Sequence, residues 1–263
     1  MPIIDFHTHA FPDEIAERAM KKLQEGPVKA CLDGTLSALI RSMDESGIEK
    51  AILCNIATKP EQFEPILKWS KKIRSDRIIP LASVHPADNR VKEHIKEIKS
   101  EGFLGIKMHP FYQDFSIDEE RLFLIYECLV ENNLLIVMHC GYDISFPHWD
   151  IASPQRIINV INRFPELKFV TTHLGAWKQW EDVERLIIGK EIYMEISFSF
   201  GWLSEEKIKE LLLKHPSHFV LFGTDSPWAD QRKEVDNLKN LGLPDNLLNK
   251  IFFLNAERLI NSI

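Results

Sequence analysis

No apolar run in this sequence approaches the roughly 20 residues that a membrane-spanning helix needs. Basic residues are not in excess either, because the formal net charge is -7, which argues against a nucleic-acid-binding surface. The chain enters an apolar, strand-like segment at its first residues and leaves no room for a signal peptide. These absences predict a soluble, cytoplasmic protein with no nucleic-acid partner and no membrane partner.

Cysteine is scarce and unpaired in the sequence. The 4 cysteines are Cys31, Cys54, Cys128 and Cys140. No two of them form a C-x-x-C pair, which suits reduced thiols in a cytoplasm. Cys140 directly follows His139 and faces away from it if both lie in a strand, so its predicted role is packing.

Apolar runs alternate with amphipathic segments along the whole chain. The pattern predicts eight buried parallel strands, at residues 3–7, 51–55, 78–84, 103–108, 134–139, 169–173, 192–196 and 219–223. The segments between them have helical spacing of apolar residues. Eight strand–helix alternations favour a (β/α)8 TIM barrel made by a single domain over residues 1–263. An open doubly wound sheet is the alternative, but no glycine-rich G-x-G-x-x-G loop follows the first strand.

Polar residues stand where several predicted strands end. The first strand ends in His7 and His9, and because side chains alternate along a strand, both imidazoles face one way and can bind one divalent metal. Other predicted strand ends carry His85, His109, His139, His173 and Asp225. In a barrel the carboxyl ends of all strands converge on one mouth. The sequence therefore predicts a metal enzyme.

Several of these segments together resemble the metal-dependent amidohydrolase superfamily. They are residues 5–9 (Asp-Phe-His-Thr-His), His139, residues 172–175 (Thr-His-Leu-Gly) and residues 223–227 (Gly-Thr-Asp-Ser-Pro). Residues 105–110 (Gly-Ile-Lys-Met-His-Pro) resemble the amidohydrolase-related branch, which includes aminocarboxymuconate semialdehyde decarboxylase. The resemblance runs from the first predicted strand to the eighth, with its motifs in the right order.

The resemblance implies a set of metal ligands: His7, His9, His139 and Asp225. Three neutral nitrogens and one carboxylate suit Zn²⁺ with a water completing the site, and manganese, iron or cobalt could occupy the same ligands. Asp225 has an alternative role as a helix N-cap, since Asp before Ser-Pro could start a turn or helix.

The resemblance leaves two roles open for His173. In mononuclear members of the superfamily the strand 6 histidine contacts the bound water or the substrate. In binuclear members it helps to bind a second metal, bridged by a carboxylated lysine from strand 4, which is where Lys107 lies. One metal per chain is favoured. Lys107 and His109 share a strand face and could instead bind a substrate anion at the mouth.

Hydrolysis of a C–N or C–O bond in a small carbonyl compound is the first functional hypothesis. Bound Zn²⁺ lowers the pKa of water from about 15.7 to about 7 and so provides a metal-bound hydroxide near neutral pH. In this hypothesis Asp225 takes the proton of the nucleophile and passes it to the leaving group. His173 hydrogen-bonds the hydroxide or the developing oxyanion.

Non-oxidative decarboxylation of an unsaturated or aromatic acid is the alternative. It depends on the branch resemblance and on aromatic residues near the mouth. Of these, Trp177 and Trp228 are predicted to contact a flat substrate. The aromatic residues could equally pack against the barrel rim or form a subunit contact. Arginine should clamp the carboxylate, but only Arg156 and Arg232 lie near the predicted mouth, which ranks this hypothesis second.

The predicted partner is a small-molecule substrate. His85, Lys107, His109, Trp177 and Trp228 are the predicted substrate-binding residues. The long segment at residues 10–33 is a candidate for a lid or a dimer contact, and a homodimer is expected only from the general frequency of soluble oligomers. A barrel that merely binds a ligand is a third hypothesis, disfavoured because no catalytic part is missing from the set.

Overall fold

Eight parallel strands form the centre of the fold in a computed structural model that describes residues 1–263. They are β1 (Ile4–Thr8), β2 (Lys50–Cys54), β3 (Ile78–Leu81), β4 (Gly105–Met108), β5 (Leu135–Met138), β6 (Lys168–Thr171), β7 (Tyr193–Glu195) and β8 (Val220–Leu221). Strands β1 to β3 pair in sequence order, and so do β4 to β8. Single backbone bridges join Ala82 to Ile106 and Thr8 to Ser226, which closes the ring. The predicted (β/α)8 barrel is confirmed.

The strands are apolar on both faces because both faces are covered. In β5, Ile136 and Met138 belong to a large apolar cluster that also contains helix residues. Leu135 and Val137 point to the other face and belong to a smaller cluster, which includes Phe6 and fills the inside of the ring. The core therefore has two layers, one within the barrel and one between the strands and the helices.

Helices follow the strands in the order expected for such a barrel. They are α1 (Asp13–Leu23), α2 (Leu36–Ser46), α3 (Phe63–Ile73), α4 (Val91–Ser100), α5 (Pro110–Gln113), α6 (Phe123–Glu131), α7 (Pro154–Arg163), α8 (Trp180–Leu186), α9 (Glu205–Lys214), α10 (Gln231–Asn240), α11 (Asp245–Asn249) and α12 (Asn255–Ile260). No helix combines the length and the apolar character needed to cross a membrane. Three strands are followed by more than one helix, because α1 precedes α2, α5 precedes α6, and α10, α11 and α12 all follow β8.

Local sequence sets the ends of the helix that returns the chain from β1 to β2. The Thr35 side chain accepts a hydrogen bond from the Ala38 N–H and so caps the start of α2. Gly47, at φ 71°, ends α2 in the left-handed conformation that glycine adopts without steric cost. These two residues set the ends of α2. Helix α1 is a separate element in the segment between β1 and α2.

Candidate metal centre

Three donor atoms converge where β1 and β8 end. The Nε2 atoms of His7 and His9 lie 3.1 Å apart. Asp225 Oδ1 lies 3.5 Å from His7 Nε2 and 3.1 Å from His9 Nε2. All three atoms are within 4.8 Å of one another, which is the spacing of ligands around one ion.

The other ring nitrogens of the two histidines are held by hydrogen-bond acceptors. His7 Nδ1 lies 2.9 Å from Glu195 Oε1, and His9 Nδ1 lies 2.7 Å from the Cys54 carbonyl oxygen. These acceptors assign the proton of each ring to Nδ1, so both Nε2 atoms present a lone pair. Two lone pairs aimed at each other are favourable only with a cation between them. This donor set therefore fits a divalent metal.

His139 and His173 form a second pair of the same kind. His139 Nδ1 lies 3.1 Å from His173 Nε2. The remaining nitrogens face carbonyl oxygens, with His139 Nε2 3.1 Å from Tyr142 O and His173 Nδ1 3.2 Å from Ser197 O. The ring centroids of His7 and His173 are 5.4 Å apart, so the two pairs are neighbours. The structure thus places His7, His9 and Asp225 in one donor group, with His173 beside His7. His139 lies next to His173 and belongs to a neighbouring donor group with His109 and Asp143.

Burial keeps these imidazoles neutral. Desolvation is the largest cause that lowers the pKa of His7 and His139 well below the ordinary value, and it lowers the pKa of His173 to about 4. The nearby Lys107 cation lowers all three further. Neutral imidazole is the form that binds a metal ion.

Glu195 of β7 lies behind the imidazoles and orients them. Its Oε1 atom accepts hydrogen bonds from His7 Nδ1 at 2.9 Å and from the His173 backbone N–H at 3.0 Å. Burial raises the pKa of Glu195 to about 8, and hydrogen bonds from Ser197 oppose that rise. A Cβ atom at Gly223 would lie 2.3 Å from Glu195 Oε2, so only glycine leaves room for this carboxylate.

The backbone at two predicted catalytic residues is left-handed. His173 has φ 59° and Asp225 has φ 65°, a conformation that is uncommon outside glycine. A hydrogen bond from the Asp225 N–H to the His7 carbonyl oxygen, at 2.7 Å, holds the second of these turns. Strained backbone of this kind concentrates at functional sites, and here it aims both side chains at the centre.

Asp5 fixes the segment that carries Asp225. Its carboxylate accepts hydrogen bonds from the Thr224 hydroxyl at 2.6 Å and from Gln231 Nε2 at 2.8 Å. Burial raises the pKa of Asp5 to about 6, while these hydrogen bonds lower it. Asp5 therefore links the end of β1, where His7 and His9 lie, to the segment after β8, where Asp225 lies.

Lys107 lies beneath the centre rather than on the cavity wall. Its side chain is fully buried, and its Nζ is 3.2 Å from His7 Nε2. No carboxylate oxygen lies within 4.0 Å of this amine.

A cavity of about 630 Å³ opens over the donor atoms. Of its 31 lining residues, 16 are hydrophobic, so the walls favour an apolar substrate body. Its aromatic lining residues are Phe11, Trp69, Tyr112, Tyr142, Trp177, Phe198 and Trp228. Of the predicted substrate-binding residues, Trp177, Trp228 and His109 line this cavity. His85 does not line it, and its Nδ1 instead accepts a hydrogen bond from the Ala87 N–H at 3.1 Å.

The cavity contains polar residues that the sequence did not single out. Asp143 Oδ2 lies 3.4 Å from His109 Nε2, and the His109 ring stacks on His139 with centroids 4.0 Å apart. Asp143 follows β5 in a loop without regular secondary structure, so no periodicity marked it. Neither of the two arginines predicted near the mouth lines the cavity, and Arg156 instead pairs with Asp118 at 2.5 Å.

The basic residues on the cavity wall are Arg18 and Lys22 of α1. Three further residues of α1 line the cavity: Ile15, Ala19 and Leu23. Together with Arg18 and Lys22 they have the spacing of one helix face, which is a signal that the sequence does carry. The sequence alone does not say which face of α1 meets the barrel.

Comparison with known proteins gives a family match over nearly the whole chain. The family model described as amidohydrolase matches residues 4–261. A dihydroorotase of Marinomonas sp. (strain MWYL1) is 23% identical over 156 residues, which are 53% of this chain and 44% of that protein. This chain therefore matches less than half of the length of that relative.

Solved structures with the same fold cover the full chain. An uncharacterised TIM-barrel protein of Bordetella bronchiseptica has a TM-score of 0.79 at 18% identity, over 100% of this chain and 99% of its own. A dihydroxybenzoic acid decarboxylase of Polaromonas sp. JS666, solved with bound manganese and 2-nitroresorcinol, has a TM-score of 0.72 at 16% identity, over 99% and 97%. A 5-carboxyvanillate decarboxylase of Sphingomonas paucimobilis has a TM-score of 0.72 at 12% identity, over 99% of each chain. At these identities the similarity establishes the fold alone.

Proposed function

Because this chain belongs to the amidohydrolase family, we propose that it is a metal-dependent enzyme that removes CO₂ from an unsaturated or aromatic carboxylic acid. The observation that carries this proposal is the position of the His7, His9 and Asp225 donor atoms in a cavity lined by seven aromatic side chains. A flat acid can lie between such walls with its carboxylate toward the donor set.

The comparisons support decarboxylation more than hydrolysis. Two of the structural neighbours are described as decarboxylases, one of dihydroxybenzoic acid and one of 5-carboxyvanillate, and both substrates are aromatic acids. This ranking reverses the order that the sequence favours, in which the shortage of arginine near the mouth placed decarboxylation second. Arg18 and Lys22 of α1 now supply cations on the cavity wall.

In the proposed enzyme His7, His9, His139 and Asp225 would hold one divalent cation. Zinc suits three nitrogens and one carboxylate, and manganese, which one structural neighbour binds, is accepted by the same set. When bound, such a cation polarises a coordinated oxygen of the substrate and neutralises developing charge. Four free cysteines suit a reducing compartment, so we place this activity in the cytoplasm.

Asp225 would move the proton of the reaction. Its Oδ1 faces the imidazoles, and no hydrogen bond occupies Oδ2. In the protonated form Asp225 would deliver this proton to the carbon that bears the carboxylate. The new C–H bond takes a π electron pair of the substrate. The bond from that carbon to the carboxylate then breaks, its electron pair restores the π system, and CO₂ leaves. A proton from solvent restores the Asp225 acid.

His173 would act as a hydrogen-bond acceptor in this reaction. Its Nδ1 donates to the Ser197 carbonyl oxygen, so its Nε2 carries a lone pair. That lone pair can accept the proton of a substrate hydroxyl and return it after CO₂ has left. The aromatic residues Trp177 and Trp228, with His109, would position the substrate ring.

Hydrolysis of a C–N or C–O bond is the second candidate, and one observation favours it. Lys107 of β4 lies 3.2 Å from His7 Nε2, in the strand that carries the carboxylated lysine of binuclear superfamily members. The curated relative found by sequence is named a dihydroorotase and not a decarboxylase. In this alternative His173 and Lys107 would both bind a second metal.

A CO₂-release assay tests the proposal. Purified protein loaded with Mn²⁺ or Zn²⁺ is incubated with 2,6-dihydroxybenzoate, 5-carboxyvanillate and a set of unsaturated acids, and a chelated sample serves as the control. We expect metal-dependent CO₂ release from at least one acid. Metal-dependent cleavage of amides or esters, with no CO₂ from any acid, would place hydrolysis first.

A further inference from the structure

Helix α1 forms one wall of the cavity although it is not one of the helices that return the chain to the next strand. Five of its residues line the cavity: Ile15, Arg18, Ala19, Lys22 and Leu23. Their spacing of three and four residues defines one face of a helix. The segment predicted as a lid or subunit contact therefore contributes a continuous surface to the substrate cavity.

This face of α1 carries two cations without ion-pair partners. Arg18 and Lys22 are one helical turn apart, and no carboxylate oxygen lies within 4.0 Å of either. Both side chains are exposed to solvent at the edge of the cavity, and like charges at this spacing repel each other weakly. The helix dipole favours a cation in the last turn, which accounts for Lys21 and Lys22 but not for Arg18.

The acids of the cavity do not neutralise this wall. Asp143 and Asp225 are the acidic residues among the 31 that line the cavity. Asp225 Oδ1 lies 3.1 Å from His9 Nε2, and Asp143 Oδ2 lies 3.4 Å from His109 Nε2. Both carboxylates therefore face imidazoles at the candidate metal centre, and the cavity is positive along α1.

We propose that Arg18 and Lys22 bind a second carboxylate of the substrate, which makes the substrate a dicarboxylic acid with an apolar, flat body. This inference depends on the proposed function, because the reacting carboxylate would lie at the metal centre while α1 holds the other one. The planar guanidinium of Arg18 can bind a carboxylate through two hydrogen bonds, and Lys22 adds a point charge. The cavity volume of about 630 Å³ suits a ligand larger than a single-ring monoacid.

Binding measurements on the metal-loaded protein test this proposal without turnover. The probes are benzoate and a series of dicarboxylates, namely isophthalate, terephthalate and a biphenyl dicarboxylate, titrated into wild type and into the Arg18→Gln/Lys22→Gln double variant. Lys21→Gln is the matched control, because Lys21 is an exposed cation of the same helix that does not line the cavity. Unfolding midpoints verify that all three proteins are folded.

We expect at least one dicarboxylate to bind wild type about 10-fold or more tightly than benzoate, since each charge-assisted hydrogen bond contributes to affinity. The double variant should lose this preference, Lys21→Gln should keep it, and benzoate affinity should change little. A preference that survives in the double variant, or that is lost equally in Lys21→Gln, overturns the proposal.

The two proposals fail in different ways. Metal-dependent benzoate binding and CO₂ release, with no preference for any dicarboxylate, would overturn the role of α1 and leave the decarboxylase in place. A dicarboxylate preference that needs Arg18 and Lys22, with no CO₂ released from any acid, would support the α1 site and overturn the decarboxylase.

Discussion

His7 Nε2 and His9 Nε2 lie 3.1 Å apart, and each ring holds its proton on the opposite nitrogen. The arrangement places two acceptors face to face at a buried site, with Asp225 Oδ1 beside them. A divalent cation between these atoms removes the repulsion at both acceptors, whereas the Lys107 amine, 3.2 Å from His7 Nε2, contacts only one of the two nitrogens. The geometry thus fits a metal site, and the metal content of the protein tests this directly.

Purified, unchelated protein should contain about one divalent ion per chain by elemental analysis. His7→Ala should reduce the metal content to near zero, because it removes the Nε2 atom that lies beside both His9 Nε2 and Asp225 Oδ1. Lys107→Met, which removes the amine 3.2 Å from His7 Nε2, should keep one ion. Two ions in wild type that fall to one or none in Lys107→Met would assign Lys107 and His173 to a binuclear centre and favour hydrolysis.

The Asp225→Asn variant should fold and keep part of its metal, because three imidazole ligands remain. Its kcat should fall by about 100-fold to 10,000-fold, since the amide carries no transferable proton. The measurement is kcat with the best acid from the CO₂-release assay, alongside metal content. Asp236→Asn, an exposed aspartate on α10, is the control and should match wild type. Near-normal turnover in Asp225→Asn would remove Asp225 from the proton transfer.

Glu195→Gln should weaken metal binding by about 10-fold to 100-fold, because Glu195 holds the His7 ring from behind. An amide has one acceptor oxygen and introduces a donor where the His7, His173 and Ser197 donors now converge. Competition with a chelator gives the metal dissociation constant. Glu191→Gln, an exposed position just before β7, is the control, and equal constants for both variants would contradict a positioning role for Glu195.

The strand-end pattern was enough to predict the barrel and the convergence of His7, His9, His139, His173 and Asp225. Both follow from local rules, since side chains alternate along a strand and all strand ends of a closed barrel meet at one mouth. Lys107 shows the limit of the same rule. It shares a face with His109 but lies two residues earlier in β4, about 6–7 Å deeper, and therefore reaches His7 from below rather than the cavity.

Residues on loops could not be placed from the sequence. His85 follows a predicted strand as His109 does, yet the chain turns after β3 and the ring bonds the local Ala87 N–H. The rotation of α1 about its axis, which brings Arg18 and Lys22 to the cavity, depends on tertiary packing. The left-handed backbone at Asp225 has only a weak sequence signal, because Asp adopts this conformation more often than most residues but far less often than glycine.

Glu234 of α10 should make stability depend on pH. It is 5% exposed, and burial raises its pKa to about 7 from an ordinary value of 4.5. The folded protein holds this proton more tightly than the unfolded chain does. The contribution of Glu234 to the free energy of unfolding is therefore greatest below about pH 4.5 and is lost as the pH rises through about 7. Glu234→Gln mimics the protonated form and keeps an acceptor for Asn237 Nδ2.

Glu234→Gln should therefore match wild type near pH 4.5 and exceed it by about 1–3 kcal/mol at pH 8, an order of magnitude set by the size of the pKa shift. Denaturant unfolding of both metal-loaded proteins at pH 5, 6, 7 and 8 gives the difference in unfolding free energy, in which the titration of the metal centre cancels. Glu127→Gln, an exposed position within α6, should show a difference that does not change with pH. If the difference for Glu234→Gln is equally constant from pH 5 to pH 8, Glu234 is ionised in the folded protein at every one of these pH values.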